Sequence, residues 1–136
     1  MAEDYILSIE DNNTDIALMN RIFQKNIPHY GIKHISDGQE AVAFLESEAF
    51  RLQQPKLVLL DIKVPRLNGL QILKKFRKIE AYLGIPVVMM SSSDRKDEIT
   101  KAYKLGANSF IEKPRTYPEL SKALPALINY WIVYNK

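Results

Sequence analysis

In Lys56-Leu57-Val58-Leu59-Leu60-Asp61 an unbroken apolar run follows a lysine and is closed by a carboxylate. It lacks the in-out alternation of a strand with one wet face, so it reads as a central strand of a parallel sheet, covered on both sides. Working outward, three further apolar runs end on polar side chains: Tyr5-Ile6-Leu7-Ser8-Ile9 on Glu10-Asp11, Pro86-Val87-Val88-Met89-Met90 on Ser91, and Phe110-Ile111 shortly before Lys113. Helical periodicity fills the intervals, and the alternation recurs five times with no internal repeat or low-complexity segment. Such a pattern predicts β-α units around one parallel sheet. The carboxyl ends of parallel strands share one edge, so residues scattered over a hundred positions are expected to meet there.

The individual elements follow from local signals. Strands are predicted over about residues 5–9, 32–36, 56–60, 85–90 and 109–111. A first helix spans about 13–26 and stops before Pro28, and a second opens after Asp37-Gly38 with Ala41, Phe44 and Leu45 inward. The third follows Asn68-Gly69, turning Leu70, Leu73, Phe76 and Ile79 or Ala81 inward and a basic run, Lys74, Lys75, Arg77 and Lys78, outward. A fourth begins after Ser91-Ser92-Ser93-Asp94, with Ser93 or Asp94 as its cap, and ends at Leu105-Gly106. The last starts near Tyr117, with Pro118 in its first turn; Pro125 falls inside it and predicts a kink or a break, because it lacks an amide hydrogen and crowds the Ser121 carbonyl.

A chain of 136 residues has the size of one domain, with no room for a second. The net charge of +3 is mild and both signs are interspersed, and the basic run has no aromatic interleaving, so a solvated helix face explains it better than nucleic acid. With no cysteine, disulfides and thiolate metal sites are excluded. The acidic opening does not suit a signal peptide, and no apolar stretch approaches the ~18 residues of a membrane span. A cytoplasmic protein that binds neither DNA nor membrane is expected. His29 and His34 read as ordinary surface or edge residues with no metal role.

Glu10, Asp11 and Asp61 would repel one another at a shared strand edge unless a carboxyl protonates or a cation intervenes. Oxygen-only ligands suit Mg2+, which prefers one or two protein carboxylates, waters and phosphate oxygens. A carboxylate can also act as nucleophile and become an aspartyl phosphate, and the central strand places Asp61 best for that. The cation and Lys113 would then stabilise the charge of the transferring group, with the Ser91 hydroxyl donating to one of its oxygens. Asp11-Asn12-Asn13-Thr14-Asp15 imitates the start of a calcium loop, but Ile16 and Ile22 stand where the turn glycine and the bidentate glutamate belong. That motif is rejected, and no Gly-rich phosphate loop follows the first strand.

Taken together, the acidic pair, Asp61-Ile62-Lys63-Val64-Pro65 with Asn68-Gly69, Pro86-Val87-Val88-Met89-Met90-Ser91, and Gly106 through Lys113-Pro114 resemble the receiver domains of two-component response regulators, in order and near spacing over essentially the whole chain. The resemblance implies one receiver domain over residues 1–136 with no output domain, in a flavodoxin-like (βα)5 three-layer sandwich with a parallel five-stranded sheet of order 2-1-3-4-5. Carried over residue by residue, it makes Asp61 the phosphoacceptor, Asp11 a direct Mg2+ ligand, Glu10 a ligand through water, and the Lys63 backbone carbonyl a further ligand. Ser91 and Phe110 become the conformational switch, Phe110 by packing alone since it has no hydroxyl. Lys113 pairs with the phosphate, and the Lys113-Pro114 bond is expected to be cis. The long interval before the third strand, Lys104 through Phe110, and Asn129-Tyr130-Trp131-Ile132-Val133-Tyr134 resemble the stand-alone regulators of bacterial phytochrome-type kinases.

The implied role is a stoichiometric phosphoacceptor, not an enzyme in the ordinary sense, although it promotes its own phosphorylation and dephosphorylation. It would receive phosphate from a sensor histidine kinase or phosphotransfer protein and signal to a downstream protein through the fourth helix, fifth strand and last helix. Two rivals remain: a constitutive interaction module, and an Mg2+-dependent aspartyl-phosphate phosphatase. Enzymes of the second kind place an acid two residues after the nucleophile, where this chain has Lys63. Lys63 and Ser93 should flank the approach of a hydrolytic water, and neither offers a carboxylate or amide to orient it, so self-dephosphorylation is expected to be slow. The wide apolar arc of the first helix leaves Ile16 and Phe23 for kinase docking, unless it is simply well covered. Tyr130, Trp131 and Tyr134 suggest a homodimer contact in the C-terminal region.

Overall fold

The computed structural model describes residues 4–135; residues 1–3 of the acidic opening lie outside them. Five parallel strands, β1 (Tyr5–Ile9), β2 (Gly31–Ile35), β3 (Leu57–Leu60), β4 (Val87–Ser91) and β5 (Ser109–Glu112), form one sheet of order 2-1-3-4-5. Ile9 stands opposite both Ile35 and Leu60, and Leu60 opposite Met89. These registers align the carboxyl ends of the strands. The central strand β3 is buried at every position, as its lack of alternation predicts.

Two apolar layers flank the sheet. On one side Met19, Ile22, Phe23 and Ile27 of or next to α1 (Asn13–Asn26) and Leu120, Leu124 and Ile128 of α6 (Tyr117–Asn129) pack on Ile6, Leu57, Leu59, Val88 and Met90. On the other, α2 (Gly38–Leu45), α3 (Glu48–Leu52), α4 (Gly69–Arg77) and α5 (Lys96–Lys104) cover Leu7, Ile9, Val58, Leu60, Val87 and Met89. Among the described residues no helix is long and apolar enough to cross a membrane. α3 was not foreseen. It is one short turn and a half, capped by the Ser47 hydroxyl, which accepts from the Phe50 amide. Its purpose in the core is Phe50, fully buried and set edge-on to Phe44, Phe76 and Tyr82. Tyr82 arrives from a 3-10 turn at Glu80–Tyr82, past the end of α4 at Arg77.

Several local expectations need correction. Phe23 is buried, because α1 is covered by both the sheet and α6, so it offers nothing to a docking partner; Ile16 is half-buried. α5 begins at Lys96 behind Arg95, without a side-chain cap: Ser93 instead accepts from the Arg95 amide and donates its hydroxyl to Glu98. α6 runs unbroken through Pro125, since one missing helical bond is outweighed by the burial of Leu120, Leu124 and Ile128 on either side. The regular helix changes only at Tyr130–Tyr134, which form a π turn. His34 does lie on the edge strand β2, as expected, where it is half-buried with its Nε2 2.8 Å from Asn20 Oδ1 of α1. The described chain holds no cis peptide, so Lys113-Pro114 is trans, the majority state of X-Pro bonds.

Candidate functional site

Backbone pairing continues one residue past the strands and fixes the origins of the polar side chains. The Glu10 amide donates to Ile35 O at 3.0 Å, Asp61 to Ile9 O at 3.1 Å, and Lys113 to Ser91 O at 2.7 Å. Glu10, Asp61, Ser91 and Lys113 are thereby held at one sheet edge although they span more than a hundred positions. Glu10, Asp61 and Ser91 are buried, whereas Asp11 is exposed.

The loop after β3 is clamped from below. Asn68 and Gln71 form a reciprocal capping box at the start of α4, and the Gly69 amide donates to Ile62 O at 2.8 Å. A Cβ on Gly69 would lie 2.2 Å from the Asp61 carbonyl oxygen, so only glycine lets α4 start this close to the site. On the other flank the Gly38 amide donates to Pro65 O and Asp37 pairs with Arg66 at 2.6 Å. Gly69→Ala should therefore destabilise the fold by about 1–3 kcal/mol through overpacking. Because the displaced atoms belong to Asp61, chemical shifts should change most at residues 61–63; a thermal melt and amide spectra equal to the parent's would contradict this close packing.

In the pocket the Lys113 ammonium donates to Glu10 Oε1 at 2.6 Å, Asp15 Oδ2 at 2.9 Å and Asp61 Oδ2 at 3.0 Å. Burial pushes the Glu10 carboxyl up to about 6; the bond and charge of Lys113 restrain that rise and the Asp61 charge adds to it. Burial by itself would lower the Lys113 ammonium, but Glu10, Asp15 and Asp61 outweigh it and hold the group charged well above the ordinary lysine range. Carboxylate oxygens of Glu10, Asp11 and Asp61 all lie within 4.8 Å of one another. The Lys113 ammonium pairs with Glu10, Asp15 and Asp61, and Asp11 adds a further carboxylate beside Glu10 and Asp61, so acidic groups outnumber the ammonium in the pocket. Hard oxygen donors without histidine or cysteine fit a divalent cation of the Mg2+, Mn2+ or Ca2+ type.

The other expected residues surround this cluster. The Lys63 amide donates to Asp61 Oδ1 at 3.3 Å, with an exposed side chain. Ser91 is fully buried and its hydroxyl accepts from the Ser93 amide at 3.2 Å. Phe110 is half-buried against the layer of α2 to α5, opposite Met89 in register, and its amide donates to the Tyr103 hydroxyl. Asp15 is the participant that the sequence reading passed over. Its only signal was membership of the rejected calcium-loop pattern.

A model of the response regulator receiver domain matches residues 6–125, and the chain belongs to that family. The probable methanogenesis regulatory protein FilR2 of Methanothrix harundinacea is 31% identical, with 99% of this chain and 89% of FilR2 aligned. Response regulator Rcp1 of Synechocystis is 27% identical over 93% of this chain and 88% of its own. A structure of Rcp1 with bound Mn2+ superposes with a TM-score of 0.86 at 25% identity, covering 98% of this chain and 97% of that one. The phosphorylated cyanobacterial phytochrome response regulator RcpA gives a TM-score of 0.90 at 28% identity, covering 99% and 98%. The protein is thus a response regulator of the two-component type, similar to the phytochrome-associated regulators, and receiver domains of this kind are phosphoacceptors that work with histidine kinases or phosphotransfer proteins.

Proposed function

We propose that Asp61 accepts the phosphoryl group, with Mg2+ bound by Glu10, Asp11 and Asp61, and that Lys113 and Ser91 hold the transferred oxygens. The observation that carries this reading is the Asp61 carboxylate itself, buried at the end of the central strand with one oxygen 3.0 Å from Lys113. In the transfer, a carboxylate oxygen of Asp61 forms a bond to phosphorus as the bond from phosphorus to the donor's imidazole nitrogen breaks, and that nitrogen keeps the electron pair and takes a proton. Bound Mg2+ supplies charge stabilisation for the three phosphoryl oxygens. Lys113 offers an ammonium already desolvated among carboxylates, and Ser91 a buried hydroxyl beside its partner strand. The Lys63 backbone carbonyl completes the proposed ligand set.

A phosphoryl group on Asp61 would draw Ser91 toward it and let the Phe110 ring turn inward, altering the face of α5, β5 and α6. A downstream protein would read that face. The described residues act as a single receiver domain in this account, working in the cytoplasm, and the exposed Tyr130 and Tyr134 support a homodimer contact near the C-terminal end. Slow self-dephosphorylation is supported by Ser93, whose hydroxyl proton is committed to Glu98 at 2.5 Å and so is not free to orient a hydrolytic water.

Incubation with Mg2+ and a small phosphoramidate tests the reading by intact mass. The parent should gain one phosphoryl mass only with the cation present, and Asp61→Asn none. No gain in the parent would favour a constitutive interaction module. Steady release of phosphate from added phosphomonoesters would favour a phosphatase.

A further inference from the structure

Asp15 lies in the first turn of α1, its amide bonded to the Asn12 side chain that caps the helix. An acidic residue there has a sufficient local explanation, since the positive end of the helix dipole favours it. That explanation does not account for where the side chain goes. Asp15 is only 24% exposed and reaches Lys113 Nζ at 2.9 Å, joining α1 to the end of β5 across ninety-eight positions.

An ammonium has three donors, and Glu10, Asp15 and Asp61 accept one each. Two of these acceptors, Glu10 and Asp61, belong to the carboxylate cluster that suits a divalent cation, and Asp15 does not. A cation claiming Glu10 and Asp61 competes with Lys113 for the same oxygens. Without another anchor the ammonium, on a flexible four-carbon stem, would be repelled from the pocket by the cation's charge. Asp15 is the acceptor outside that competition. It also ties the ammonium to the first turn of α1.

We propose that Asp15 is a positioning residue: it retains the Lys113 ammonium at the pocket when Glu10 and Asp61 are committed to a divalent cation, so that the ammonium meets an incoming phosphoryl oxygen already in place. This rests on the proposed phosphoacceptor reading and adds a residue to it. The consequence for rate is a loss of preorganisation in Asp15→Asn, about tenfold in phosphorylation at saturating phosphoramidate, with the half-saturating donor concentration little changed. Asp15→Glu, which keeps the charge on a longer arm, should recover most of that rate.

The deciding experiment follows the Lys113 side-chain ammonium by nitrogen-15 NMR while MgCl2 is added, in the parent, Asp15→Asn and Asp15→Glu; Lys113→Arg assigns the signal. Hydrogen-bonded ammonium protons exchange slowly enough to be seen, and freed ones do not. The parent and Asp15→Glu should keep the signal at saturating Mg2+, whereas Asp15→Asn should show it without Mg2+ and lose it with Mg2+. If the signal persists or vanishes alike in parent and Asp15→Asn while the Glu10 and Asp11 amides respond to Mg2+, the role of Asp15 is overturned and the cation site stands. Amides that do not respond would sink the cation site itself, and the role of Asp15 with it.

Discussion

Phe50→Ala should lower the unfolding free energy by about 3–5 kcal/mol, the range for removing a fully buried aromatic ring from a packed core. The ring is at 0% exposure and meets Phe44 at 5.4 Å, Phe76 at 5.9 Å and Tyr82 at 4.8 Å between centroids, all edge-on. Each such pair contributes beyond the area buried. Its neighbours come from α2, α4 and the turn at Glu80–Tyr82, so collapse onto the vacated space would have to move three elements at once. By contrast Leu52 in the same short helix is 70% exposed, and Leu52→Ala should change stability by less than about 0.5 kcal/mol. Urea denaturation checks the pair: equal midpoints for the two variants would show that α3 is not anchored through Phe50.

Lys113→Ala should cost about 2–4 kcal/mol near pH 7.5 without divalent cations, because it leaves the buried Glu10 and Asp61 carboxylates facing each other without their shared cation. The pH dependence has a definite sign. Glu10 is raised by burial from 4.5 to about 6, so its contribution to stability is fully present below about 4.5 and is lost as pH rises through about 6. Lys113 restrains that rise, so its removal lifts Glu10 further and moves the loss to higher pH. The gap between parent and variant should therefore shrink as pH falls toward about 5, where a protonated Glu10 no longer needs the ammonium. Millimolar MgCl2 at neutral pH should shrink it as well, and should stabilise the variant more than the parent. A gap independent of both pH and Mg2+ would mean that Lys113 acts by packing, not by charge.

Much of this was legible in the chain because parallel strands write a strong signal. A buried strand is apolar throughout, its carboxyl end is marked by the polar residue that follows, and Leu57 through Asp61 shows both. Glu10, Asp61, Ser91 and Lys113 could be assigned to one edge on that ground alone. α3 escaped because a five-residue helix is too short to repeat its period, and only Phe50 of its apolar residues is buried. The Ser47 cap was its one available signal. For Phe23 the well-covered alternative holds: an apolar arc wider than one face looks unpartnered until a second helix, here α6, is seen to cover it. At Pro125 the helix is not broken, because burial of Leu120, Leu124 and Ile128 on either side outweighs the one lost bond. Asp15 escaped because a first-turn acid satisfies the helix dipole, and only the tertiary fold brings Lys113 to it.

The central claim is that phosphate resides on the Asp61 carboxylate. Acyl phosphates are reduced by borohydride to the alcohol, so an aspartyl phosphate is converted to homoserine while free carboxylates survive. Phosphorylated protein treated in this way, digested and sequenced by mass spectrometry, should carry homoserine at position 61 and at no other aspartate, and only when Mg2+ accompanied the donor. Homoserine at Asp11 or Asp15, or a stable phosphate on any hydroxyl with position 61 unmodified, would contradict the account.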